Sequence, residues 1–458
     1  MTLRIANAAG FLGDSIDAPL RMVEAARVDY LTLEYLAELT LSIMAAQRTH
    51  DPLAGYARDF IDVLESLLPP LKAQPQWKLV TNAGGLHPRG CAVAAGRILS
   101  KAGLGDVPIG VVRGDDLLDQ IDALQQSGCE LAHLDTGKPL SSLAAHVTSA
   151  NAYLGAAPIV EALAKGARIV LTGRVADASL TVGPAVHEFG WAWDEWQRLA
   201  AASVAGHVIE CGAQATGGYS TDWRTHRLRD IGYPIAELEA DGATIITKPR
   251  GTGGAVNRRT VVEQLVYEIG DPAHYLTPDV DVDFTTVEVA ELADDRVAIR
   301  GAAGRPAPPD YKVSLSYADG FSASGQLLVY GRDCTVKAQA AAEIVFQRLM
   351  SAGYEFAQRN IELLGAGDGI PGLTAAPADL REVMLRITVR DPRREAVERF
   401  AKELAPLITS GPAGLAGYAQ GRPTIRPVYS YWPTLVPKHL VEPYVELYTA
   451  TQWASQTA

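Results

Sequence analysis

His207, Glu210, Cys211 and Gln214 stand three or four residues apart in the stretch AGHVIECGAQATGG (205–218). On an α-helix that spacing gathers them on one stripe and turns Val208 and Ile209 elsewhere. An imidazole, a carboxylate, a thiol and an amide each require a polar partner once buried. Two readings follow. Neighbouring backbone satisfies these groups in a buried helix, with Cys211 as a small packing residue; or the stripe forms a general acid/base wall, or half of a metal site, facing a pocket. Cys211 adds a lesser option, a nucleophilic thiol with His207 one turn back as its base. His207 and Glu210 alone are a weak metal signal, since no H-E-x-x-H spacing accompanies them.

Other groups with chemistry sit in loops that follow apolar runs. Asn82-Ala-Gly84-Gly85 and Arg250-Gly-Thr-Gly253-Gly254 are glycine turns of the kind that let backbone N–H groups approach an anion, or that simply turn the chain tightly. Neither carries a P-loop or a dinucleotide fingerprint, so a nucleotide site is not supported. In Gly173-Arg174-Val-Ala-Asp177, Arg174 suits a substrate carboxylate, while Asp177 either shares that clamp or caps the following helix. Glu34, Glu38, Asp115, Asp116 and Asp135 are acidic residues at expected strand ends, where carboxylates serve as bases, hold a divalent ion or cap helices.

The elements that must position these residues alternate. Strands are expected at Leu3–Ala9, Tyr30–Tyr35, Trp77–Asn82, Pro108–Arg113, Glu130–Asp135, Ala167–Gly173 and Ala243–Thr247, with helical periods between most of them. A helix from about Glu195 is expected to continue to Gln214, where Gly217 and Gly218 stop it. Strands apolar on both sides imply an α/β fold, a mostly parallel open sheet with helices on both faces and a ligand crevice at the strands' carboxyl ends. Near Asp283 the pattern changes to period-two alternation (285–292, 296–302, 311–317, 325–330), followed by helices at Thr335–Met350 and Arg393–Leu407 around a strand at Leu380–Arg390. That mixture predicts a C-terminal α+β domain containing antiparallel strands, dividing the chain into 1–284, with the active site, and 285–458.

Composition narrows the partners. A net charge of -12 without a basic run argues against nucleic acid or an anionic membrane surface. The four cysteines are far apart and form no C-x-x-C pair, which points to a reducing cytoplasm. Neither a signal peptide nor a membrane-spanning run is expected.

At these residues the chain resembles the acyclic terpene utilization (AtuA-type) family. The segments carrying the match are GFLGDSIDAP (10–19), LEYLAELTL (33–41), TNAGGLHPRG (81–90), SANAYLGA (149–156), LTGRVADASL (171–180), AGHVIECGAQATGG (205–218), GTGGAV (251–256), YLTPDVDVDF (275–284), YKVSLSYADGF (311–321) and ITSGPAG (408–414). The resemblance spans nearly the whole chain. It implies a role in breaking down branched, terpenoid-type acids through acyl-CoA intermediates, with CoA entering as part of the substrate and no other cofactor implied. Longer members carry an extra C-terminal ferredoxin-like domain, so a separate small ferredoxin-like subunit is expected as a partner, and a homo-oligomer is expected. The loop 411–417 is less glycine-rich than the family pattern, which weakens a ligand role for it.

Together these readings predict a lyase, a hydratase or dehydratase acting on an organic acid or acyl thioester. His207 and Glu210 would move protons. Asn82, Gln214 and the N–H groups of Gly84 and Gly85 would hold the developing oxyanion, and Arg174 and Asp177 the carboxylate. Gly253 and Gly254, with Asn151 and Tyr153 from the SANAYLGA segment, complete the expected substrate contacts. A thioesterase-like hydrolase using Cys211, and a noncatalytic acyl-CoA-binding or partner-docking subunit, are the alternatives.

Overall fold

Five strands, Leu3–Asn7, Tyr30–Leu33, Lys78–Thr81, Ile169–Thr172 and Pro108–Arg113, lie side by side in that order, all parallel, in the computed structural model. The structure describes residues 1–457 other than 49, 374, 376, 378 and 418–420. Both faces of these strands are covered. Ile109 and Val111 share one core with Cys91, Ala95 and Leu99 of the Pro88–Lys101 helix. Gly110, between them, faces the other way and leaves room for Ala162 of the Ala157–Ala164 helix, which a Cβ would approach to 3.1 Å. Burial on both faces is why these strands read as continuous apolar runs rather than alternating ones.

Antiparallel strands extend this centre on both sides. Ile235–Leu238 and Thr244–Thr247 continue from Leu3–Asn7, and Tyr444–Thr449 closes the far edge beside Pro108–Arg113. The expected strands near 285–292 and 296–302 form as Glu288–Ala293 and Arg296–Arg300, and they join this same sheet beyond Thr244–Thr247. Alternation reports a half-exposed edge, but not which sheet the strand will enter. The result is the predicted α/β architecture, a ten-stranded mixed sheet with a parallel middle. No strand forms at 130–135, where the chain makes turns. The runs at 311–317 and 325–330 are parts of one long strand, Asp310–Tyr330.

The chain divides into two compact units, Met1–Ser316 with Tyr431–Ala458, and Tyr317–Ser430. The second unit, taken by itself, runs strand, helix Cys334–Ser351, strand Gln358–Leu364, strand Glu382–Asp391, helix Arg394–Ala401 and strand Leu415–Gly417. In space Glu382–Asp391 and Leu415–Gly417 flank the first strand, with Gln358–Leu364 at the edge, all antiparallel. That β-α-β-β-α-β order is the split, ferredoxin-like motif. Leu327, Val329, Val345, Leu385 and Phe400 belong to its core.

Candidate active site

The helix Trp196–Glu210 is apolar nearly all round, with Leu199, Ala202, Ala205, Val208 and Ile209 buried, as befits an interior helix. Gly206 sets its depth: a Cβ there would stand 2.9 Å from the Ala178 backbone. That close approach brings the helix against the residue following Asp177. At its end the Asn7 amide donates to the Ile209 and Glu210 carbonyls at 2.8 and 2.6 Å, satisfying two groups that a helix terminus leaves open. The helix stops at Glu210; a 3₁₀ turn, Gly212–Thr216, carries Gln214, and Gly217 ends it at φ 96°. The predicted helix thus divides into two, yet His207, Glu210, Cys211 and Gln214 still face one cavity of about 740 Å³.

His207 and Glu210 form a buried pair. His207 is 1% exposed, with Nδ1 3.1 Å from Glu210 Oε1 and Nε2 3.1 Å from the Gln264 carbonyl. A carbonyl only accepts, so Nε2 carries a hydrogen and Nδ1 shares its proton with Glu210. Burial disfavours the imidazolium, but the Glu210 carboxylate outweighs it and raises the His207 pKa. Burial raises that of Glu210, with His207 pulling the other way. One proton therefore belongs to the pair, as imidazolium–carboxylate or imidazole–acid. The ring packs beside Tyr275 and Phe284, centroids 5.7 and 5.5 Å away.

The second group comes from strand ends. Arg174, 2% exposed, donates from Nη1 to the Leu36 carbonyl at 2.7 Å, pairs with Asp177 at 2.8 Å and lies 4.1 Å above the Tyr153 ring. Asp177 thus pairs with the arginine, and the Ser179–Phe189 helix has Ala178, not Asp177, at its N-cap position. Glu34 accepts from Asn82 and from the Leu36 N–H, 3.9 Å from Arg174, while its Oε2 has no hydrogen-bond partner among the described residues. Burial and then Asp177 push its carboxyl up to about 8, against Arg174, Asn82 and Leu36. Glu38 behaves oppositely. Burial opposes its ionisation, but the Tyr153 hydroxyl at 2.5 Å, Lys312 at 3.2 Å and Arg174 bring it down to about 2.

Of the expected substrate contacts, the cavity gathers Arg174, Asp177, Tyr153 and Gln214. It does not gather the glycine loops. Asn82 is fully buried, giving its amide to Glu34 and accepting from Tyr35. A Cβ on Gly84 would stand 2.5 Å from the Thr172 carbonyl, and Gly85 spends its N–H on Asn82. Gly253 and Gly254 pack against the Arg227 carbonyl and the Thr216 carbonyl, respectively, with their N–H groups bonded to the Asp230 and Arg227 carbonyls. Asn151 donates to Asp115, which also accepts the Arg174 N–H. Burial pushes Asp115 up to about 7 against those two donors. Neither the glycine loops nor Asn151 nor Asp115 lines the cavity. Cys211 lines the cavity, but burial, then Glu210, push its thiol up to about 12, and both His207 nitrogens are engaged elsewhere.

Sequence reasoning did not single out Lys312, Tyr275 or Glu268, which also line the cavity. Lys312 was legible as the polar phase of an alternating strand whose Val313 and Leu315 are buried. Tyr275 lies on the two-residue strand Tyr275–Leu276 and Glu268 in a turn, both too short to give a periodic signal. Among the described residues no three His, Cys, Asp or Glu side chains are grouped as metal ligands, and no helix is long and apolar enough to cross a membrane.

The family model described as acyclic terpene utilisation family protein AtuA matches residues 3–447. No curated protein matches the chain. Among solved structures, a VAO-type flavoprotein from Myceliophthora thermophila C1 is 12% identical, with 78% of this chain and 48% of that chain covered and a TM-score of 0.14. The chain spans about half of that protein, and a likeness at this level carries no argument.

Proposed function

This chain belongs to the acyclic terpene utilisation family AtuA, and on that premise we propose that its strand-end cavity is the active site of a hydro-lyase acting on a branched acid or its thioester. One observation carries the reading: the cavity holds two separate sites for a mobile proton, the His207–Glu210 pair and the Glu34 carboxyl raised to about 8. Elimination of water needs a base to take the proton next to a carbonyl and an acid to give one to the departing hydroxyl. The imidazolium–carboxylate form of the pair serves as base: Glu210 receives the substrate proton on Oε2, which has no hydrogen-bond partner among the described residues, while His207 keeps its own proton. Glu34 keeps its proton near neutral pH and serves as acid. Gln214 and Lys312 supply N–H donors for the carbonyl oxygen as charge develops on it. Arg174 holds Asp177 and Glu34 in place.

The hydration direction is the practical assay. The N-acetylcysteamine thioester of 3-methyl-2-butenoic acid takes up water across its double bond, and loss of the conjugated absorbance reports it. Turnover by the protein, lowered by about 10² or more in Glu210→Gln, is the expected result. Absence of turnover in either direction removes the hydro-lyase reading.

A further inference from the structure

We propose that the cavity selects an uncharged acyl head group, a thioester or ester carbonyl, over the free carboxylate of the same acid. The inference rests on the reading that this cavity is the substrate site, and it decides between the two head groups that reading leaves open.

The argument is one of charge. Six carboxyl groups line the cavity, Glu34, Glu38, Asp177, Glu210, Glu268 and Asp310, against two permanent cations, Arg174 and Lys312. Both cations are already matched. Arg174 pairs with Asp177 at 2.8 Å, and Tyr153 covers its guanidinium at 4.1 Å. Lys312 Nζ lies 3.2 Å from Glu38 and 4.7 Å from the centre of the Tyr153 ring. The third positive group, His207, is charged only while Glu210 is its counterion. A carboxylate entering here meets no unmatched cation and several acidic neighbours, and like charges in a partly desolvated site repel strongly. Glu34 already shows the effect, since burial and Asp177 keep its own carboxyl protonated.

A carbonyl oxygen adds no charge. It needs only hydrogen-bond donors, and the ammonium of Lys312 and the amide of Gln214 are both at the cavity wall. Around the polar centre stand Phe11, Leu134, Leu276 and Leu435, each exposed by 44% or more. Those side chains suit the apolar remainder of an acyl group and give no charge to hold an anion. The phosphates of a CoA carrier would accordingly remain outside the cavity.

Calorimetric titration of the full chain at pH 8 tests this with two probes, 3-methyl-2-butenoate and its N-acetylcysteamine thioester. The thioester should bind at least about tenfold more tightly. Glu38→Gln frees Lys312 of its counterion and should tighten the carboxylate several-fold while leaving the thioester nearly unchanged, a gain that misfolding cannot produce. Equal or tighter binding of the carboxylate to the native protein overturns the proposal, as does failure of the thioester to bind. Lack of any gain for the carboxylate in Glu38→Gln overturns it too. Thioester binding without turnover leaves it standing and counts only against the hydro-lyase reading.

Discussion

His207 Nδ1 lies 3.1 Å from Glu210 Oε1 while the opposite ring nitrogen donates to the Gln264 carbonyl. The imidazole therefore cannot turn, and the proton between the two residues has one line along which to move. The pair occupies the last turn of its helix, which Asn7 holds by bonding to both final carbonyls. The alignment of this pair is a property of the fold as much as of the two side chains.

Glu210→Gln should lower the His207 pKa. The Glu210 carboxylate is the main influence opposing burial in the native protein; without it only the weaker backbone contacts at Gln264 and Leu265 oppose burial, which favours the neutral ring. A pH titration of the imidazole signals by NMR reads this directly. A His207 titration that stays in place after the substitution contradicts the assignment of the pair.

Glu34→Gln should stabilise the protein in alkaline more than in acidic solution. The folded-state pKa of about 8 is raised from 4.5, so the native state keeps a proton that the unfolded chain releases. Stability from this group is fully present below about pH 4.5 and is lost as pH rises to about 8. The amide stays neutral throughout. The gain in Tm should thus be larger at pH 8 than at pH 5; Asp115, raised from 3.8 to about 7, titrates in both proteins and cancels from the difference. A gain that shrinks with pH contradicts the assignment.

Gly173→Ala should cost about 1–3 kcal/mol, because its Cβ would fall 2.3 Å from the Asp115 carboxylate. If that clash is the cause, the penalty must be smaller in an Asp115→Ala background. Denaturant unfolding of the two single variants and the double variant measures the coupling. Simple additivity would place the strain elsewhere.

Gly84→Ala should also destabilise by about 1–3 kcal/mol, through the Thr172 carbonyl 2.5 Å from the new Cβ. The thioester probe should bind the folded variant with unchanged affinity, because this glycine packs a strand end and does not line the cavity. A large loss of affinity at unchanged stability would return the loop to the binding site.

The parallel centre of the sheet was legible because burial on both faces leaves unbroken apolar runs, as in Ile169–Thr172. The crevice was legible for the same reason: once strand directions are known, their carboxyl ends are known. The strand Val147–Ala152 escaped notice, since VTSANA mixes hydroxyl, amide and methyl groups that suit a loop equally well. The fates of Asn82 and Gly84 were hidden for another reason. A glycine turn beside a ligand and one beside a carbonyl have the same sequence, and only the neighbouring Thr172 and Glu34 distinguish them. His207 and Glu210 were found because helical spacing alone brings them together.

Hydrogen exchange at the carbon next to the carbonyl is the most direct test of that pair. The N-acetylcysteamine thioester of 3-methylbutanoic acid has no hydroxyl to lose, so incubation in D₂O isolates proton removal from every later step. NMR should show deuterium entering that carbon in the presence of the native protein, about 10² or more faster than with a folded Glu210→Gln variant. Exchange that proceeds equally in the variant, or fails to occur with the native protein, contradicts proton transfer by His207 and Glu210.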